Sequence, residues 1–221
     1  MNVQRLTKQL GGTANLFGGL LVAVAYILHP PHQTPEVISG DFWLTVHALF
    51  APSLIFGVFG LFAIYQQHHR RSSLSGLVGF IAACISLIGI FGLNFFEAFI
   101  NPVLAVEVPR FVEQHGAGTG IGWVAWLFPL SGLLFVLGYS LLCADVIKAK
   151  TFDNGPAILT LAGTLIFGTG LSGMVSMILV QVGAVVFGAG LVWFGWALIK
   201  RDQRCLVNPR HGAGSAYRRS Q

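Results

Sequence analysis

The amino-acid sequence predicts an all-α polytopic membrane protein, a bundle of about six transmembrane helices with both termini on the cytoplasmic side. Of its 221 residues, 54% are hydrophobic and only 10% are charged, and the mean hydropathy is +0.73. Soluble domains carry roughly a quarter of charged residues. The apolar residues form long runs, and the basic residues collect in alternate connections between them. These three observations indicate that lipid surrounds most of the chain.

The apolar runs have the length of membrane-spanning helices, because a run of about 20 residues can satisfy its backbone polar groups in lipid only as a helix. The first run ends at the Pro30-Pro31 pair and has no signal-peptide cleavage site, so we interpret it as a retained helix. The fifth run is short, and residues 157–171 either span the membrane or re-enter it. The predicted helices are Gly11–Leu28, Phe42–Tyr65, Leu74–Ile100, Gly122–Cys143, Ala157–Leu171 and Met174–Ile199.

The basic residues determine the predicted orientation. Under this topology, twelve of the thirteen Lys and Arg residues fall on inner segments, and only Arg110 falls outside. Cytoplasmic loops carry such an excess of Lys and Arg, so the sequence predicts inner N and C termini. We expect residues 1–200 to form one transmembrane domain and the basic tail 201–221 to be disordered.

The net charge of the chain also limits the kinds of binding partner that the sequence indicates. The formal net charge of +5 and the pI near 9.5 come from loops that face anionic lipid headgroups, and they do not indicate nucleic-acid binding. The predicted partner is therefore the lipid bilayer. A membrane-protein partner and a small ligand both remain open.

Two ionisable residues lie inside predicted helices and away from the inner ends, His47 on the second helix and Glu97 on the third. Such groups are costly in hydrocarbon and are functional candidates by default. Both are expected in the outer leaflet, at similar depth, on adjacent helices. Asn94, Glu97 and Asn101 have i, i+3, i+7 spacing and share one helix face. We predict a ligand-binding site with His47 as ligand or proton acceptor, Glu97 as ligand or acid, and the two asparagines as orienting groups.

Three interpretations of this site remain open. In the first, His47 and Glu97, with His29 or His32, hold a metal ion or a haem iron. In the second, they bind or protonate a small molecule, such as a quinone headgroup or a transported solute. In the third, a Glu–His hydrogen bond only fixes the helix register, and the protein is a structural or accessory subunit. A small transporter is a further possibility, although no broken helix pair is expected near the midplane.

Other features indicate packing and interfacial anchoring. The small-xxx-small pairs Ala14/Gly18 and Ala184/Gly188 predict close helix approach, most simply within one chain. The turn 68–71, His-His-Arg-Arg, is interpreted as a solvated anchor, with a metal or lipid-headgroup site as the alternative. Tryptophans are expected at the membrane–water interfaces. These are Trp43, Trp123 and Trp126 outside and Trp193 and Trp196 inside.

Several short segments, mainly within residues 1–105, carry a resemblance to known proteins. They are LHPP at 28–31, FWLTVH at 42–47, GLFAIY at 60–65, GLVGF at 76–80 and FEAFINP at 96–102. The chain in this region resembles a group of small, permease-like bacterial membrane proteins of unknown function. That resemblance implies a multi-pass, six-helix bundle in the bacterial inner membrane. It implies no particular activity.

Overall fold

The computed structural model describes residues 3–115, 122, 124–170 and 176–207, and every regular element in them is helical. The prediction of an all-α fold is therefore confirmed. The elements in chain order are α1 (Val3–Leu28), α2 (Pro35–Ile38), α3 (Asp41–His68), α4 (Leu74–Phe95), a π-helical turn π1 (Phe96–Ile100), α5 (Asn101–Glu107), α6 (Pro109–His115), α7 (Val124–Ala149), α8 (Asn154–Gly170) and α9 (Met177–Val207).

The long helices form a closed ring in the order α1, α3, α4, α7, α8, α9 and back to α1. Each runs antiparallel to its neighbours. In α8 and α9, for example, Gly163 lies against Phe187 while Gly183 lies against Phe167, so one helix ascends as the other descends. An antiparallel ring brings the alternate connections of the chain to the same end of the bundle.

The two ends of the bundle differ in charge. The basic end carries most of the described Lys and Arg residues, and the opposite end, here called the acidic end, carries most of the acids. The basic end holds Arg5, Lys8, Arg70, Arg71, Lys148, Lys150 and Lys200, whereas the acidic end holds Glu36, Asp41, Glu97, Glu107, Glu113 and Arg110.

Glycine allows the closest helix contacts. A methyl group at Gly188 of α9 would collide with the backbone carbonyl of Gly19 in α1, and one at Gly19 would collide with the carbonyl of Gly188. Small residues let two backbones approach in this way. Gly18 similarly faces the backbone of Ser53 in α3, so the predicted small-xxx-small pairs pack helices within the chain.

Aromatic side chains fill the interior of the ring. Phe135, Tyr139, Phe167 and Phe187 contact one another, three of the pairs at steep interplanar angles. The cavity lined by these rings and Tyr26 has a volume of about 20 Å³, room for about one water molecule.

Five helices in the described part of the chain are long and apolar enough to cross a membrane. They are Arg5–Leu28, Asp41–His68, Leu74–Glu107, Ala125–Ala149 and Met177–Lys200. Many of their apolar side chains point away from the bundle, including Phe59 and Ile88, which are 59% and 63% exposed. A multi-pass membrane protein explains this exposure. Helix α8 has 17 residues and is therefore about 25 Å long, shorter than the hydrocarbon core of about 30 Å.

The predicted loops at the acidic end contain short helices. Residues 29–41 include α2, and the segment predicted as a loop from Asn101 contains α5 and α6. Their apolar residues form a second, small core of Ile38, Trp43, Ala105 and Val112. Trp43 is only 1% exposed, so its predicted role as an interfacial anchor is wrong: the short helices cover it.

The other predicted interfacial tryptophans are exposed where they are described, and the last helix is longer than predicted. Trp126, Trp193 and Trp196 are exposed, as expected of interfacial anchors, and Trp123 lies outside the described residues. Helix α9 continues to Val207, into the predicted tail, and residues 208–221 are not described.

Candidate functional site

A cluster of rings joins the end of α1 to the first turns of α3, at the acidic end. The ring centroids of His29 and His47 are 5.4 Å apart, and Trp43 lies 5.3 Å from His29 and 4.5 Å from His47. Tyr26 stacks on His29 at 5.9 Å. The cluster forms because α1 stops before the Pro30-Pro31 pair, which leaves His29 beside the start of the antiparallel α3.

Hydrogen bonds determine which nitrogen of each imidazole carries the proton. His29 Nδ1 lies 2.9 Å from the carbonyl oxygen of Pro30, and His47 Nδ1 lies 2.8 Å from that of Trp43. A carbonyl oxygen only accepts, so each Nδ1 carries the hydrogen and donates it. In the neutral ring, Nε2 then has a lone pair. Burial lowers the pKa of His29, so that this ring is neutral at pH 7.

Glu97 lies in π1, where the change of helical register frees a carbonyl group. The backbone N–H of Asn101 bonds to the carbonyl of Phe96, five residues back, and no longer to that of Glu97. Residue 102, the next possible donor, is proline and has no N–H. The indole Nε1 of Trp43 donates to the Glu97 carbonyl instead, at 2.7 Å. Such π-turns occur frequently at functional sites.

The two asparagines orient the groups around them, as the sequence predicts. Asn101 Nδ2 donates to Glu97 Oε2 at 2.6 Å, which leaves Oε1 of the carboxyl available. Asn94 Nδ2 donates to the backbone carbonyl of His47 at 3.1 Å. The Oδ1 atom of Asn94 is buried and accepts no hydrogen bond from the described residues.

The structure therefore brings together most of the predicted site. His29, His47, Asn94, Glu97 and Asn101 all lie around Trp43. Side chains of His47 and Glu97 form no hydrogen bond with each other, because each turns to a different partner. The hydrogen bond between Glu97 and His47 that the third interpretation requires is therefore not formed, whereas an accessory subunit does not depend on it.

The predicted metal ligands converge only in part. His29 and His47 are adjacent, whereas His32 is exposed and has no ring contact or hydrogen bond with another described residue. Among the described residues, no group of three His, Cys, Asp or Glu side chains is placed to hold a metal ion. An iron between two imidazoles lies about 2 Å from each nitrogen, which puts the ring centroids beyond about 6 Å. In this structure the two rings are thus closer together, at 5.4 Å, than the two imidazole ligands of a haem iron would be.

A second polar cluster lies at the basic end, and the sequence analysis missed it. His68 is completely buried, and its Nε2 and Nδ1 atoms bond to Asp145 Oδ2 at 2.7 Å and to Thr151 Oγ1 at 2.8 Å. The Asp145 carboxylate also accepts hydrogen bonds from the hydroxyls of Ser72 and Ser73 and from the Ser73 backbone N–H. This cluster ties the α3–α4 turn to the end of α7.

Saturation of its hydrogen bonds makes the second cluster a structural clamp. Both ring nitrogens of His68 and both carboxylate oxygens of Asp145 already have partners. The carboxylate also faces the positive N-terminus of α4, a favourable position for a negative charge. The sequence did contain a signal for this cluster: an acidic residue just beyond an apolar run, Asp145, and a pair of serines, Ser72 and Ser73, just before α4.

The functional hypothesis therefore depends on the cluster at the acidic end, where acceptor atoms remain without partners. Comparison of the chain with protein-family models, with curated proteins and with solved structures gives no match.

Proposed function

We propose that this chain is a six-crossing protein of the bacterial cytoplasmic membrane, with both termini inside, that binds a small ligand carrying a protonated amine at the acidic end. The site, here called the acceptor site, consists of His29, His47, Asn94 and Glu97. Its outward-leaflet position follows from the positive-inside rule applied to the basic end.

The observation that carries the proposal is the excess of acceptors over donors. Nε2 of His29, Nε2 of His47, Oδ1 of Asn94 and Oε1 of Glu97 can all accept, the donors of Trp43 and Asn101 are already bonded, and Tyr26 beside His29 adds one hydroxyl donor. Of these four atoms Asn94 Oδ1 is fully buried, and a buried acceptor without a donor costs about 1–3 kcal/mol. A ligand with several N–H donors would satisfy these atoms, and a positive charge would pair with the Glu97 carboxylate.

Aromatic rings favour an organic cation in particular. Trp43 and Tyr26 flank the two imidazoles, and the faces of Trp and Tyr attract ammonium groups by cation–π interaction. A metal ion finds fewer ligands here than the three or four of ordinary zinc sites.

The small core at the acidic end supports a closed site. Ile38, Ala105 and Val112 pack on the far side of Trp43, so α2, α5 and α6 cover the tryptophan that borders the acceptor site. Water-poor surroundings strengthen charge-assisted hydrogen bonds. The narrow interior of the ring, with a cavity of about 20 Å³, favours ligand binding over transport of a solute through the bundle.

The direct test is amine binding by the purified full-length protein in detergent. We expect tetramethylammonium and butylamine to raise the thermal unfolding midpoint, and neutral butyramide to leave it unchanged. Glu97→Gln removes the counter-charge and should weaken butylamine binding by about tenfold or more. Glu107→Gln changes an exposed acid on the same end and serves as the matched control.

The pH dependence tests the role of His29. Protonation of Nε2 destroys an acceptor and adds a like charge, so binding of tetramethylammonium, whose own charge is constant, should fall with decreasing pH. Because burial lowers the pKa of His29, this loss should occur below the ordinary histidine value of about 6.5. His29→Gln should remove that part of the decrease, and His32→Gln should not. Absence of amine binding, or a bound metal or haem in the purified protein, would overturn the proposal, and a stoichiometric partner would then favour an accessory subunit.

A further inference from the structure

The basic end of the bundle contains a cleft that the acceptor site does not explain. It lies between α1 and the last turns of α3 and has a volume of about 340 Å³. Its lining residues are Lys8, Gln66, Gln67, His69 and Arg70.

The lining is cationic and rich in donors, the reverse of the acceptor site. Lys8 and Arg70 form no ion pair with any described residue, and the described lining of the cleft contains no acidic side chain. The side-chain amides of Gln66 and Gln67 also make no hydrogen bond within the described chain. Two charges and two amides are thus directed at a space large enough for a polar group.

His69 reduces the repulsion that the end of α3 would exert on an anion in the cleft. The C-terminal carbonyls of a helix repel anions, and the cleft lies at the C-terminal end of α3. His69 Nδ1 donates to the carbonyl of Gln66 at 2.7 Å, which occupies one of these oxygens. Two full positive charges also exceed the helix-end charge of roughly half a unit.

We propose that this cleft binds an anionic phosphate group, and that the headgroup of an anionic phospholipid supplies it. Lys and Arg side chains hold phosphate by charge-assisted hydrogen bonds, and basic pockets between transmembrane helices bind anionic headgroups. An exposed apolar side chain lies beside the cleft on its membrane side, since Phe62 is four residues before Gln66 on the same face of α3.

The test uses thermal unfolding of the full-length protein in detergent, with short-chain phosphatidylglycerol, short-chain phosphatidylcholine and inorganic phosphate as separate probes at equal ionic strength. Phosphatidylglycerol should raise the unfolding midpoint in a saturable way. Phosphatidylcholine, whose choline compensates the phosphate charge, should act more weakly. Lys8→Gln and Arg70→Gln should each weaken phosphatidylglycerol binding by about fivefold. Arg71→Gln, an exposed neighbour outside the cleft, is the matched control.

The outcomes separate the two sources of phosphate. Stabilisation by phosphatidylglycerol alone indicates the lipid, and equal stabilisation by inorganic phosphate indicates a soluble phosphate compound in the same cleft. No stabilisation by either, or an equal loss in Arg71→Gln, would overturn the proposal. Counting the phosphatidylglycerol molecules retained by Lys8→Gln in native mass spectrometry gives a second readout that does not depend on unfolding. None of these results depends on amine binding at the acidic end.

Discussion

His29, His47 and His68 show how hydrogen-bonding partners decide what a histidine can do. In each ring one nitrogen donates or accepts within the bundle. The second nitrogen of His68 is bonded to Asp145, whereas Nε2 of His29 and of His47 has no partner among the described residues. His68 is therefore suited to stabilise the fold, and the other two are suited to bind a ligand.

The Asp145 clamp leads to a prediction about stability. Asp145→Asn keeps the shape of the side chain, but it replaces one accepting oxygen by an NH₂ group that faces donors. We expect the free energy of unfolding to fall by about 1–3 kcal/mol, measured by thermal or chemical unfolding in detergent. Asp153→Asn alters an exposed aspartate in the following turn and should have almost no effect. Equal stability of the two variants would contradict the clamp.

Backbone geometry governs the elements. The π-turn within the third long helical segment, together with Pro102, exposes the carbonyl of Glu97 to Trp43 and so joins α3 to the site. Glycine has the corresponding effect between helices, since Gly19 and Gly188 place α1 and α9 in backbone contact. Both features depend on the backbone, so neither can be predicted from the pattern of hydrophobic residues.

The contact between α1 and α9 gives a test at this scale. Gly188→Ala puts a methyl group against the carbonyl of Gly19, which cannot rotate away as a side chain could. The helices must separate, and we expect a loss of about 1–3 kcal/mol in the free energy of unfolding. Gly92→Ala is the control, because a methyl group there has nothing within 4 Å and alanine favours the helix by about 1 kcal/mol. If Gly188→Ala were as stable as Gly92→Ala, the contact would not matter.

For the whole molecule, the antiparallel ring relates charge to topology. Its alternate connections lie at one end, and that end holds nearly all of the described basic residues. If all six long helices cross the membrane, the two termini lie on the same side. Whether all six cross depends on α8. It packs antiparallel along α9, as a spanning helix would, but it is only about 25 Å long.

The crossing number predicts the location of the C terminus. With six crossings, a fluorescent reporter that folds in the cytoplasm and is fused after Gln221 should be active, and a phosphatase that requires the periplasm should be inactive there. In intact cells, a membrane-impermeant maleimide should label His32→Cys but not Arg71→Cys. The unsubstituted chain, treated in the same way, is the control for labelling of the native cysteines. An active phosphatase would mean that α8 does not cross.

The amino-acid sequence by itself determined the all-helical fold, the positions of the long helices, with some ends displaced by up to eight residues, and which ends of the helices are basic. It also identified His47, Glu97, Asn94 and Asn101 as neighbours. These properties depend on composition and on the period of the helix, which are local along the chain.

Only the tertiary structure decided which atoms meet. It pairs His68 with Asp145 across 77 positions of the chain, buries Trp43 under short helices that resembled loops, and directs His47 away from Glu97 toward its own backbone. The physical reason is that a hydrogen bond depends on distances of a few tenths of an ångström. Those distances are set by how closely the helices pack, and the spacing of residues along one helix does not contain them.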